Sequence, residues 1–529
     1  MARKKAENVA LYARLLTELA EGGPASPRLD DIEGDILRDP SLSLIALAQF
    51  ADLPHGLEDR LAEGYGMLVS AWLEFLRYKS DADDPKAKGA IADFQARLAS
   101  LARDGDIDPD TFMAVTMMLA QAKIAASPEV QSAAADCATL MAEDFDDDEA
   151  DMLVAGGSIE AALADLAGNA RQDPFGFVAM LAEIAHAMPP AAKATLANAL
   201  AKNADSASAG LLLLLDPVSE VREAAASGLA EAIDQLDDVA LRRLITLRNW
   251  IPEAERARVD ELIHAIRRAG VGCANWPQSR LEDIHASCLD GSGTQGFIIV
   301  TKQGRKRSLS SILTKHGIKD AWTTPQTKAE IDQALAMGRR ESGLALATTS
   351  YLDRAVCHHL AVGLGEGSQP PAGLLEIAEA IGAADWKPRP CDWRAELDAL
   401  DAELPESAKA AKHRDEILDL SELWSMEDGT SDSWFEDGPE VAAALGRTKR
   451  AEAGEKTMQN VLDRVIEPKR EKWAEHFTWV ALRLHDAPKT DDSWQSFAIL
   501  AKALADDGPM IEIPLMRAIA RRSIDAALA

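Results

Sequence analysis

The chain has 529 residues, 56 of them lysine or arginine against 87 aspartate or glutamate, for a formal net charge of −31. That length suits roughly three or four domain-sized blocks, and the excess of carboxylates excludes non-specific attraction of the whole surface to nucleic acid or anionic lipid. Five scattered cysteines, Cys137, Cys273, Cys288, Cys357 and Cys391, are odd in number and unlike a disulfide framework, so they read as reduced, mostly buried thiols.

The N-terminus begins basic, as a signal peptide does, but Asn8, Arg14 and Glu18 interrupt any apolar core and predict an ordinary amphipathic helix. No apolar run approaches the roughly 20 residues a membrane span requires, so no membrane association and a cytoplasmic location are expected. Residues 1–155 read as an N-terminal helical region, with breaks at Pro24, Asp39-Pro40, Pro54, Pro85, Asp108-Pro109 and Ser127-Pro128. Within it Leu57, Leu61, Tyr65, Leu68, Trp72 and Phe75 fall on one helical stripe, which predicts core packing. The acidic run Asp144–Asp151 reads as a solvated loop or linker.

Residues 156–275 read as paired helices: Ile159–Ala170, Phe175–Ala187, Ala191–Lys202, then Ala240–Arg248 and Glu253–Arg268. Between them an apolar helix through Leu211–Leu215 meets the turn Asp216-Pro217. A second helix follows, with Val221, Ala224, Ala225, Leu229 and Ile233 spaced along one face. With Pro217 in the turn and Val221-Arg222 opening the second helix, Ala209–Ile233 resembles one unit of a HEAT repeat. The resemblance implies stacked helical pairs, because one hairpin cannot bury its own apolar face, and a surface that serves a partner. It also implies that Arg222 bridges neighbouring units.

Residues 276–345 break this rhythm. The β-branched run Phe297–Thr301 predicts a small antiparallel hairpin or meander confined to about Ile284–Thr314. Helix returns over 346–529, with stripes through Trp393, Leu397, Leu400 and Leu404, through Trp473, Phe477, Val480 and Leu484, and through Trp494, Phe497, Leu500 and Leu504. Trp424 precedes the acidic segment Glu427–Gly438, a candidate tethered loop, and Trp434 lies within it. The expected fold is mostly α, a HEAT-like α-solenoid or segmented helical repeat with a small central antiparallel β insertion.

Several motifs imitate chemistry. Gly291–Gly296 fits G-x-G-x-x-G, but a strand follows where a dinucleotide fold needs a helix, so it reads as a turn with positive φ. His413-Arg414-Asp415 copies part of a kinase catalytic loop, yet Leu420 stands where the loop asparagine belongs. Asp104, Asp106 and Asp108, and likewise Asp144, Asp146 and Asp148, open as calcium loops do without a closing glutamate. Asp108-Pro109 is better read as an N-cap followed by proline. His285 with Cys288 and Cys273, and Cys357-His358-His359, lack the spacing of a zinc site. No catalytic, cofactor-binding or metal-ligating residue is expected.

One signal runs against the composition. Lys302, Arg305, Lys306, Arg307, Lys315 and Lys319 lie between Asp290 and Asp320 with no carboxylate among them. They read as edge protection of the hairpin or as a contact for a partner. The expected function is a non-catalytic protein-interaction scaffold or adaptor. The alternatives are a nucleic-acid-associated module acting through the basic hairpin, and an enzyme whose site is composed from distant residues.

Overall fold

The computed structural model describes residues 2–22, 26, 31–54, 56–81, 84–143, 168–185, 188, 190–421, 424, 431–446, 454–488, 492–506 and 509–528. The Asp144–Asp151 run with its three alternating carboxylates, residues 159–167 and residues 427–430 lie outside them. The chain divides into two compact units, Met1–Ala209 and Gly210–Ala529.

The first unit is helical among its described residues: α1 Ala2–Ala20, α2 Asp31–Arg38, α3 Leu42–Ala51, α4 Ala62–Asp81, α5 Pro85–Asp104, α6 Pro109–Gln121, α7 Pro128–Glu143, α8 Pro174–Ala185 and α9 Pro190–Lys202. Its breaks follow the prolines because proline suits a first helical turn, where its missing N–H costs nothing. Asp84 and Asp108 each cap the helix behind such a proline, accepting from Lys86 N and Thr111 N. Phe50, Trp72, Phe94 and Phe112 fill the core, and the Trp72 indole donates to the Ile32 carbonyl. Leu57 departs from the expected stripe: it sits in a short 3-10 turn before α4 and is 44% exposed, because the helix starts only at Ala62.

The boundary between the units falls within α10 (Ala207–Leu212), which runs into a 3-10 turn and reverses at Asp216-Pro217 into α11 (Ser219–Glu231). Val221, Ala225 and Leu229 are buried as their spacing requires, and Ala224 and Ile233 are half-buried. α12 (Asp238–Leu247) and α13 (Arg256–Arg268) follow, with Leu241, Leu244, Val259 and Leu262 buried. Arg222 is buried too. It donates to both oxygens of Glu255, which precedes α13, and to the carbonyls of Asp216 and Pro217.

The β region is larger than the sequence predicts. Strands β1 (Leu281–Ala286), β2 (Gln295–Gln303), β3 (Lys306–Thr314), β4 (Ile318–Gln326) and β5 (Ala345–Leu346) form one antiparallel sheet in the order β4-β3-β2-β1-β5. β4 lies beyond the expected Thr314 limit. Its sequence lacks clean alternation and holds Pro325, so pairing with β3 rather than local propensity fixes it as an edge strand.

Register places Ile284, Ala286, Phe297, Ile299, Ile312 and Ala321 on one face of the sheet. That face meets α15 (Thr349–Gly365), where the Tyr351 ring lies 6.0 Å from Phe297, while α16 (Gly373–Ile381) packs on β4. On the other face Val300 and Leu309 pack with Ile331, Leu335 and Leu344 of α14 (Lys328–Ser342) and the residues after it. The remaining elements are helices: α17 Trp393–Glu403, α18 Glu406–Lys409, α19 Ala411–Asp419, α20 Pro439–Leu445, α21 Glu455–Val461, α22 Arg470–His485, α23 Ser493–Ala505 and α24 Pro514–Leu528. The predicted stripes supply their core: Leu397 and Leu400 of α17, Trp473 and Phe477 of α22, and Leu500 and Leu504 of α23 are buried. Among the described residues no helix is long and apolar enough to cross a membrane.

Candidate functional site

The β2–β3 connection is a two-residue turn closed by the pair Gln303 and Lys306, with Gly304 at φ +62 as its first central residue. A side chain at that φ clashes with its own backbone, so glycine belongs there. The turn projects Arg305 and Lys306 into solvent, and exposed Lys302 stands opposite Arg307 across the ladder. Arg307 grips both carboxylate oxygens of Glu282, at 2.6 and 2.9 Å. This charge-assisted bond holds the Glu282 carboxyl below its ordinary range and raises the guanidinium.

The six basic residues do not form one patch. Lys302, Arg305, Lys306 and Arg307 gather at the Gly304 end, whereas half-buried Lys315 and exposed Lys319 sit at the other end of β3. At about 3.4 Å per residue the strand separates the two ends by roughly 27 Å. The Gly304 end gains two cations that sequence spacing did not bring in. Arg280 donates to the Gln303 side chain at 2.7 Å, and the charge of Lys328 bears on Glu282. Among the described residues no carboxylate lies within ion-pair distance of Arg305 or Lys306.

Several residues of the imitative motifs make structural contacts. The Asp290 carboxylate accepts from Ser292 N and Thr294 N, tying Gly291–Gly296 into a turn with Gly293 at φ +81. A Cβ on Gly291 would lie 2.3 Å from the Ser433 carbonyl, so that glycine serves close packing. Arg414 pairs with Asp401 at 2.6 Å. His358 accepts from the Cys391 backbone N–H at Nδ1, and both His358 and His359 lie against Trp479. Burial pushes these imidazoles down to about 4 and about 3, and pushes the Cys391 thiol up to about 12. In each of the three, burial disfavours the charged form. Among the described residues no group of three histidine, cysteine or acidic side chains is arranged to hold a metal ion. Of the cysteines, Cys137 and Cys357 are buried, Cys288 and Cys391 are half-buried, and Cys273 is exposed.

A second feature escaped sequence reasoning. A cavity of about 240 Å³ lies between α22 and α23, walled by Trp424, Trp434 and Phe497 and bordered by Arg483, Ser496 and Cys288. Trp434 is fixed by its indole N–H, which donates to the Leu289 carbonyl. Arg483 is 9% exposed; it donates to the Ala286 and Gly343 carbonyls and, at 3.5 Å, to the Cys288 sulfur. The available signal was a single cation inside the apolar stretch Trp479–Leu484.

Comparison with known proteins agrees with a helical chain and names no activity. Residues 394–528 match the family described as the Y4lR C-terminal helical domain, and residues 189–270 match the Y4lR second domain. A relative from Sinorhizobium fredii (strain NBRC 101917 / NGR234), "Uncharacterized protein y4lR", is 29% identical over 367 residues, covering 66% of this chain and 69% of the relative. No solved structure matches the chain. The sheet and its basic turn fall between the two matched segments.

Proposed function

We propose that the protein is a non-catalytic interaction scaffold that docks an acidic protein partner at the Gly304 end of its sheet. The observation that carries this reading is the exposed group Lys302, Arg305 and Lys306, projected on a two-residue turn from a chain of net charge −31. Cations in such a setting steer an acidic partner to one place, while the surrounding acidity disfavours nucleic acid. The helices from Ala207 to Arg268 are HEAT-like units of a solenoid or segmented repeat in this proposal. Arg222, which ties the Asp216-Pro217 turn to Glu255 of the next helical pair, supports it. The scaffold works in the cytoplasm.

The test is affinity purification from the native organism with the full chain and with a Lys302→Ser, Arg305→Ser, Lys306→Ser variant. Arg307 is left in place because of its Glu282 pair. A protein partner recovered with the parent chain and lost from the variant supports the proposal. An unchanged partner set places the interface elsewhere. Recovery of nucleic acid, with affinity falling steeply as salt rises, replaces the acidic protein with phosphate as the target.

A further inference from the structure

We infer that the cavity between α22 and α23 is a binding site for a small aromatic monocarboxylate, held by Arg483 and stacked among Trp424, Trp434 and Phe497. The argument starts from charge. A guanidinium stays protonated inside a protein, and a buried charge without a counter-charge is costly. Two comparably buried arginines of this unit obey that rule: Arg222 carries Glu255, and Arg242 carries Glu379. Arg483 meets two backbone carbonyls and the Cys288 sulfur, and no carboxylate among the described residues lies within ion-pair distance.

The cavity offers a place for a counter-charge. Arginine has five N–H donors, and three of them are engaged by Cys288, Ala286 and Gly343. The same side chain borders the cavity, so a carboxylate there reaches donors that the protein leaves without an acceptor among the described residues. The walls determine the rest of the ligand. Trp424 and Phe497 lie edge to face at 5.3 Å, and Trp434 meets Phe497 at 6.1 Å, an arrangement that accepts a flat ring. A cavity of about 150 Å³ accommodates one benzene ring. The 240 Å³ found here therefore takes a ring with a short carboxylated arm. The Ser496 hydroxyl adds a hydrogen-bonding group at the wall.

The experiment titrates the full chain with phenylacetate and with phenylacetamide, its uncharged counterpart of similar shape, by isothermal calorimetry. Phenylacetate is expected to bind with a one-to-one stoichiometry and at least tenfold more tightly than the amide. Ser496→Trp, which fills the cavity and leaves Arg483 unsubstituted, is expected to abolish that heat. Equal affinity for acid and amide, no binding of phenylacetate at millimolar concentration, or full binding by a folded Ser496→Trp protein would each overturn the inference. The acid-to-amide comparison uses the unaltered chain, so it decides the question even if the variant does not fold.

Discussion

Arg242 and Arg483 are both nearly excluded from water, yet the two regions that hold them solve the burial of a cation differently. In α12, Arg242 and Arg243 converge on Glu379 of α16, with N–O distances of 2.7 to 2.9 Å. Burial by itself would raise the Glu379 carboxyl, but the hydrogen bonds and charges of Arg243 and Arg242 bring it below its ordinary value. That region supplies its own counter-charge, although the Arg242 Nε has no acceptor among the described residues, and it reads as architecture. Around α22, Arg483 is positioned by backbone carbonyls beside an aromatic cavity, and no carboxylate among the described residues lies within ion-pair distance of it. The buried ion of the first region has its partner built in, and that of the second is the basis of the binding site inferred above.

Perturbing the closed region should have the largest effect. Leu229 of α11 is fully buried, and Leu229→Asp puts an unpaired charge there, at an expected loss of at least about 4 kcal/mol. Denaturant unfolding measures it; an unchanged midpoint would show that this helix interface does not contribute to stability. Glu379→Gln should follow at about 3 kcal/mol, since it leaves two arginines without their anion. Arg483→Gln should cost less, about 1 kcal/mol, because it removes a desolvated charge together with its hydrogen bonds. If Glu379→Gln proved the milder of the two, the contrast between the regions would fail.

Acid sharpens the comparison through His476, whose Nε2 has no partner among the described residues and whose imidazole is pushed by burial down to about 3. The unfolded chain binds that proton near pH 6.5 and the folded chain only near 3. Stability is therefore full above about 6.5 and falls as pH drops between the two. Glu379, with its pKa lowered, holds its contribution above the ordinary carboxylate range and loses it only at lower pH. Melting temperatures of the parent should decline from pH 7 to 4, and His476→Phe should flatten the upper part of that decline. Last, the Lys302, Arg305, Lys306 to Ser variant should change stability by no more than about 0.5 kcal/mol, as exposed substitutions do. A larger change would mean that the turn cations support the sheet.

The sequence by itself determined the helical class, the proline-capped breaks, the buried stripes and the stretch where helix gives way to strand. These depend on neighbours a few residues away: a period near 3.6 marks Trp473 and Phe477 as core, and Asp108-Pro109 carries its own cap. Tertiary structure decided what depends on partners far along the chain. β4 exists because β3 offers it a ladder, although its own residues alternate poorly. The basic residues read as one island are parted by the length of β3, while Arg280 joins four of them across the sheet. Arg483 gains its meaning only when Ala286, Gly343 and the tryptophans come beside it, because a counter-charge, or the lack of one, is a property of space rather than of sequence.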